Sequence, residues 1–395
     1  MARIRMCDVA EQIRGVSYKT EDVLDGPRED AVGIFRASNI SDGIINFNDL
    51  VFVKRNKVLQ KQMLRKGDIL ICASSGSKHL VGKAAQIEAD CEYSFGAFCK
   101  VVRPQKINAL FLGMYFQSDF YRRYISDISQ GANINNIKNE HIDAIKLRGY
   151  SETEQVEIAE LLQKIISIIR FHKEQLIMLD ELIKSRFVEM FGNPVTNSSE
   201  LKMLPMTSVC EIIDGDRGEN YPKAEDFSEE GDCLFLNAKN VTASGFNFDT
   251  CMYITKEKDE SLRKGKLKRG DVVLTTRGTL GNLAYYTDKI PYDNIRINSG
   301  MVILRMKRKV IDEIYFIEHF KFQLDDIKSK IASGSAQPQL PISTMNKIQI
   351  IIPEIGKQKE FAAFVHQVDK LKLTTQKSLK KLEILKKSLM QEYFG

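Results

Sequence analysis

The stretch LRKGDILI, residues 64–71, returns as LKRGDVVL at residues 267–274. In each, a Gly-Asp pair follows basic residues and opens an apolar run, the pattern of a turn entering a buried strand. The two glycines, Gly67 and Gly270, lie 203 positions apart. So do Gly131 in SQGANINNI and Gly334 in ASGSAQPQL, and so do Gly192 in MFGNPV and the final Gly395. The same frame sets Asp68 on Asp271, Gln155 on Gln358, Leu176 on Leu379, Leu179 on Leu382, Leu182 on Leu385 and Ser185 on Ser388. Nearer each N-terminus the frame slips, with FRASNISDG (35–43) set against the longer FLNAKNVTASG (235–245). One offset held across landmarks this far apart makes the chain two copies of one unit.

Each copy reads as two parts. The larger part alternates short apolar runs with Gly and Asn punctuation, which predicts a mixed, strand-rich globular domain at 1–148 and again at 196–352. The smaller parts, 149–195 and 353–395, read as helix. Ser151 and Glu154 have capping-box spacing. Apolar residues then recur at three-and-four spacing through Ile165, Ile169, Leu176, Leu179 and Ile183, and in the second copy through Val368, Leu379, Leu382 and Leu389. A run of about 35–40 residues spans about 50–60 Å as one straight helix, and a stripe that long calls for a partner helix. Residues 151–195 carry 5 basic and 8 acidic residues, whereas residues 353–395 carry 9 and 5. Complementary flanks of that kind suit pairing of the two helices with each other. The stripe thins near His172 and Thr375, which leaves one rod or two segments open. The fold class is therefore α+β, in two tandem repeats.

At 395 residues, with 43% hydrophobic and 28% charged residues, the chain has the composition of a soluble multidomain protein. No apolar run is long enough to span a membrane, and the N-terminal MARIRMCDVAEQ lacks a signal-peptide core. Seven cysteines without a CxxC pair read as reduced thiols, so a cytoplasmic protein is expected. A net charge of +6 permits nucleic acid as a partner. That charge is uneven: residues 1–150 hold 22 basic and 17 acidic residues, and residues 196–352 hold 22 of each.

Catalytic constellations do not emerge. The chain has no Gly-rich strand–helix turn for a dinucleotide or S-adenosylmethionine, no Walker loop and no HExxH. Asn193-Pro194 continues to Val195 and lacks the aromatic end of an amino-methyltransferase motif. The five histidines show no metal-ligand spacing. No catalytic residue and no metal site is expected. What recurs is polar loop chemistry. ASSGSKHLVGK (73–83) and TTRGTLGN (275–282) follow the Gly-Asp strands, and QGANINNIK (130–138) and SGSAQPQLP (333–341) precede the last strands. Asn and Gln can present a donor and an acceptor together to a base edge. Ser, Thr, Lys and Arg can hold phosphates. The candidate DNA-contacting residues are Ser74, Ser75, Ser77, Lys78, Lys83, Asn133, Asn135 and Asn136 in the first copy. In the second they are Thr275, Thr276, Arg277, Asn282, Gln337 and Gln339.

LRKGDILI and LKRGDVVL, SGSAQPQLP, TEQVEIAELLQKI and KQKEFAAFVHQVDKL, and the endings KSRFVEMFG and KKSLMQEYFG span essentially the whole chain. In combination they resemble the specificity subunits of type I restriction–modification systems. The first copy departs from the pattern, with QGANINNIK where the second has a Gln-Pro loop. The resemblance implies a non-catalytic DNA-binding subunit whose two target-recognition domains each read half of a split, asymmetric target. It further implies that the helices form an antiparallel coiled-coil spacer holding two adenine methyltransferase subunits, joined by two ATP-driven restriction subunits. S-adenosylmethionine, ATP and magnesium then belong to those partners. One alternative is a duplicated scaffold that binds only proteins, whose binding lacks the steep salt dependence of a DNA complex; another is a nuclease, which cleavage by the purified chain alone would reveal.

Overall fold

The computed structural model describes residues 3–41, 43–77, 80–131, 136–332 and 339–395. The chain divides into two compact units, one formed by residues 1–174 with 376–395 and the other by residues 175–375. Segmenting the sequence at 148, 195 and 352 follows the repeat. Compact packing instead groups each globular part with one half of each long helix.

In the first unit, strands Ala10–Arg14, Cys99–Pro104, Ile69–Cys72 and Ala84–Gln86 form an antiparallel sheet in that order. A second sheet sets Ala31–Phe35 between Tyr93–Phe95, its parallel neighbour, and the antiparallel Val51–Lys54, with Val23–Leu24 at the edge. Arg3–Arg5 pairs with Lys146–Arg148, so the domain's first strand lies beside its last. Ile69, Leu70, Ile71 and Cys72 are all buried, which explains why this strand reads as an unbroken apolar run.

The second unit repeats the plan. Cys210–Asp214, Met301–Met306, Val272–Thr275 and Leu283–Tyr285 form its four-stranded sheet. Cys233–Leu236 sits between Tyr253–Ile254 and the parallel Ile295–Ile297, and Met203–Pro205 pairs with Gln349–Ile351. One difference between the units is a helix. Glu313–Ala332 is continuous, whereas its counterpart is split into Ala109–Phe116 and Asp119–Gly131. Ser118 makes the break: its hydroxyl donates to the Tyr115 carbonyl and accepts the Tyr121 amide, ending one helix and capping the next.

The Gly-Asp turns are structural in both units. Gly67 and Gly270 take φ of 91° and 93°, where a side chain would be strained. Asp68 and Asp271, each 1% exposed, accept the amides of Arg65 and Lys268. Each carboxylate also takes a two-pronged ion pair, from Arg103 at 2.8 and 2.7 Å and from Arg305 at 2.9 and 2.8 Å. Guanidinium planarity suits that geometry.

The long helices run Glu152–Phe191 and Ile355–Phe394, 40 residues each. Neither is interrupted near His172 or Thr375. Ser151 caps the first with the predicted box: its amide donates to the Glu154 carboxylate, and the Glu154 amide donates back to its hydroxyl. Gly192, at φ 76°, ends that helix in the left-handed region. Within the first unit Ile158 and Leu162 pack with Leu389 and Met390. His172 meets Ser378, and Lys173 pairs with Glu383 at 3.6 Å. Within the second, Gln175 meets Thr375, Asp180 pairs with Lys372, and Arg186 pairs with Glu360 at 3.5 Å. Phe187 and Phe191 lie against Phe361. In each unit the partner number falls as the helix number rises, so the helical segments run antiparallel. Ile165, Ile169, Leu179, Ile183 and Val368 are buried there, and Leu176, Leu379, Leu382 and Leu389 are half-buried. No helix is long and apolar enough to cross a membrane among the described residues.

Candidate nucleic-acid interface

In each unit the strand after the Gly-Asp turn delivers the chain into a loop cluster laced by backbone hydrogen bonds. In the first, the Ala73 and Ser74 amides both donate to the Phe98 carbonyl, at 2.9 and 3.0 Å. The Ile137 amide donates to the Ala73 carbonyl at 2.7 Å, and Ser74 bridges Asn136. In the second, the Thr276 amide donates to the Gly300 carbonyl at 2.8 Å, and the Leu340 amide to the Thr276 carbonyl at 3.1 Å. The two polar loops singled out in each sequence copy, far apart in the chain, thus meet at one place in each unit. Counted in the repeat frame, Asn136 corresponds to Gln339 and Ser74 to Arg277.

The candidate residues divide by exposure. Ser77, Asn136, Arg277 and Gln339 are exposed, and Ser74, Ser75, Lys83 and Asn282 are half-buried. Lys78, Asn133, Asn135 and Gln337 lie outside the described residues. Thr275 and Thr276 are 1% and 5% exposed, and their hydroxyls donate to the backbone carbonyls of Thr279 and Gly300. The side-chain amide of Asn282 donates to the Val241 carbonyl at 2.9 Å. Those three shape the loop as folded, leaving Arg277 and Gln339 as the solvent-facing groups among the described residues of that set.

Further residues join the first cluster. Tyr18, Arg36 and Phe98, with Ser38, Ser74 and Ser75, line an open cavity of about 710 Å³. They come from separate loops, so no local motif announced them. In the turn FGAF, 95–98, Phe95 is wholly buried and Phe98, three residues on, is 71% exposed, a difference that no pattern in the sequence carries. A smaller cavity of about 230 Å³ in the same unit brings Lys83 together with Arg122 and Lys386. Burial, with Lys173 nearby, pushes the Lys386 amine below the usual lysine range. Three basic side chains lie around one hollow, and none of its described lining residues is a carboxylate, an arrangement that can meet a phosphate.

At the corresponding positions the second unit carries other chemistry. Matching the strand ladders of the two sheets, rather than the 203-residue frame, sets Arg217 at the place of Ser17, Asn237 at that of Arg36, Lys239 at that of Ser38 and Gly300 at that of Phe98. Arg217 donates to Asp214 at 3.1 Å and to the Ser299 carbonyl at 3.3 Å. Among the described residues no three His, Cys, Asp or Glu side chains gather as a metal site. All seven cysteines are free, and burial pushes the Cys99 and Cys210 thiols up to about 12, far from reactive thiolates.

The type I restriction modification DNA specificity domain matches the chain twice, at residues 8–181 and 199–384. The EcoKI specificity subunit of Escherichia coli K12 is 27% identical over 98% of this chain and 86% of its own length. The StySPI specificity subunit of Salmonella potsdam is 42% identical, over 45% of this chain and only 38% of that relative. The crystal structure of a type I system S subunit from M. genitalium superposes with a TM-score of 0.61 at 16% identity, covering 100% of this chain and 96% of that one. A chain from a structure of type I restriction–modification complex assembly gives 0.56, also at 16% identity, covering 100% and 97%. Two domain matches covering most of the sequence, on a duplicated fold with duplicated loop clusters, place this chain in the type I restriction–modification DNA specificity family.

Proposed function

We propose that this chain is the non-catalytic DNA-reading subunit of a type I restriction–modification complex, each globular domain reading one half of a bipartite, asymmetric target. The observation that carries this is the pair of loop clusters, laced by matching hydrogen bonds yet rimmed by different side chains. A shared frame with divergent rims suits two readers of two unlike half-sites. The domains are taken as residues 1–148 and 196–352, with 149–195 and 353–395 as a coiled-coil spacer that sets the gap between half-sites.

The helices also supply docking faces. Ile168 and Phe171 with Ile384 and Leu385 are exposed in one unit, and Ile177, Met178, Leu182 and Leu371 in the other. Ile168 corresponds to Leu371 and Leu182 to Leu385 in the repeat, so the two faces are related, which suits two copies of one partner. Those partners are the methyltransferase subunits, and two restriction subunits complete the complex. S-adenosylmethionine, ATP and magnesium reside on them, in the cytoplasm.

The test is an exchange of residues 1–148 for the matching domain of a relative, followed by genome-wide mapping of methylated adenines. One half of the methylated motif changes and the other stays. A swap that alters both halves, or neither, refutes modular reading.

A further inference from the structure

Phe98 is a large apolar side chain held out into water on a rigid support. It is 71% exposed. Its own carbonyl accepts two amides, and the Cys99 amide closes the turn onto the Gly96 carbonyl at 2.8 Å. Phe47, also exposed, leans on Phe35 and Tyr93 with ring centres 5.3 and 5.5 Å away. Among the described residues no ring lies against Phe98 in that way. It stands at the edge of the 710 Å³ cavity beside Ser74, Ser38 and Arg36. The turn therefore holds an apolar group in place before anything binds, at low entropic cost to a partner.

We propose that Phe98 is a specificity-determining residue of the first reader, packing against the 5-methyl group of a thymine in the major groove. This rests on the reading of the chain as a DNA sequence reader. A phenyl ring donates no hydrogen bond and accepts only a weak N–H···π contact, so it cannot read the donor and acceptor pattern of a base edge. The feature of the major groove it can tell apart is the thymine methyl, which no other base presents there. The surrounding hydroxyls and Arg36 supply the polar contacts that fix the register. In the second unit Gly300 stands at this position, so thymine is not read there in this manner.

The experiment uses the full chain with its co-purified subunits and duplexes carrying the target found by methylation mapping. Each thymine of the first half-site is replaced singly by deoxyuridine, which removes only the methyl group. Wild type loses about fourfold in affinity at one thymine, the worth of one buried methyl at ~0.8 kcal/mol. Phe98→Ala binds the thymine and uracil duplexes equally and still discriminates the second half-site. Phe98 is surface-exposed, so its truncation leaves the fold intact, which circular dichroism checks. A variant that retains the uracil penalty, a uniform loss on every sequence as for a wedge between base steps, or a first half-site without an A·T pair overturns the assignment. Loss of all sequence discrimination by wild type itself would instead defeat the reading on which it rests.

Discussion

Asp68 with Arg103 in the first unit and Asp271 with Arg305 in the second occupy the same station. So do Gln155 and Gln358. Gln155 accepts the Asn108 amide and donates to the Tyr150 carbonyl; Gln358 accepts the Asp312 amide and donates to the Pro353 carbonyl. The rims of the loop clusters keep no such correspondence, with Tyr18, Arg36 and Phe98 set against Gly218, Asn237 and Gly300. A buried polar group has few ways to be satisfied, and each is tied to the backbone around it. A rim side chain faces water and is free to change. The duplicated chain therefore keeps its internal bonds and varies its edges, as expected of one frame holding two different readers.

The sharpest way to break that comparison is to remove one carboxylate. Asp271→Ala leaves the Arg305 guanidinium without its buried partner and the Lys268 amide without its acceptor. A loss of about 3–5 kcal/mol is expected. Hydrogen exchange read peptide by peptide should show it in the strands Val272–Thr275 and Met301–Met306. Asp68→Ala should do the same in Ile69–Cys72 and Cys99–Pro104. Equal loss of protection in both units from either change would mean that the two frames do not hold separately.

A second difference lies inside the frame. Position 116 is a buried phenylalanine, and its counterpart 203 residues later is His319, wholly buried. The His319 Nε2 accepts the Ile351 amide at 3.1 Å, and its Nδ1 has no partner among the described residues. Burial pushes its pKa from 6.5 down to about 3. The unfolded chain takes up this proton at higher pH than the folded one, so the second unit loses stability as pH falls below 6.5. The loss levels off near pH 3, where the folded form also protonates. The slope is about 1.4 kcal/mol per pH unit in that window. His319→Gln keeps an acceptor for Ile351 and should flatten the slope, measured by chemical denaturation between pH 7 and 5. An unchanged slope would assign the acid sensitivity to other groups.

Much of this organisation was legible in the chain. The offset of 203 survives in the long helices, which begin at Glu152 and Ile355, and in the closing strands Lys146–Arg148 and Gln349–Ile351. Spacing showed the helices because their apolar stripe is local. It left continuity near His172 open because His172, Gln175, Thr375 and Ser378 interrupt the stripe, and those polar groups bond across to the other helix. Periodicity along one segment cannot register a partner some 200 residues away. Thr275 and Thr276 read as loop residues because they adjoin Arg277 and Gly278, yet Thr275 ends a strand buried on both faces and the Thr276 hydroxyl turns back onto the Gly300 carbonyl. Phe98 was hidden for the opposite reason: a phenylalanine in a short turn reads as core until the fold exposes it.

The finest comparison sets Arg277 and Gln339 against Ser74 and Asn136. Both pairs hold the same two stations, both second-unit residues are exposed, and they differ in what they offer DNA. Gln339 presents an amide that can satisfy one base edge with two hydrogen bonds. Gln339→Ala should relax one position of the second half-site by about 1–3 kcal/mol, leaving the first half-site unchanged. Arg277 can act on a base or on a phosphate, and Ser74 at the same station carries no charge. If Arg277 lies on a phosphate, Arg277→Ser weakens every sequence alike and lowers the slope of log affinity against log salt by about 0.9. If it reads guanine, the slope change comes with lost discrimination at one position. Titration of matched and singly mismatched duplexes at several salt concentrations separates the two. Neither change in Arg277→Ser, with Gln339→Ala also silent, would move the second reader's contacts away from this loop cluster.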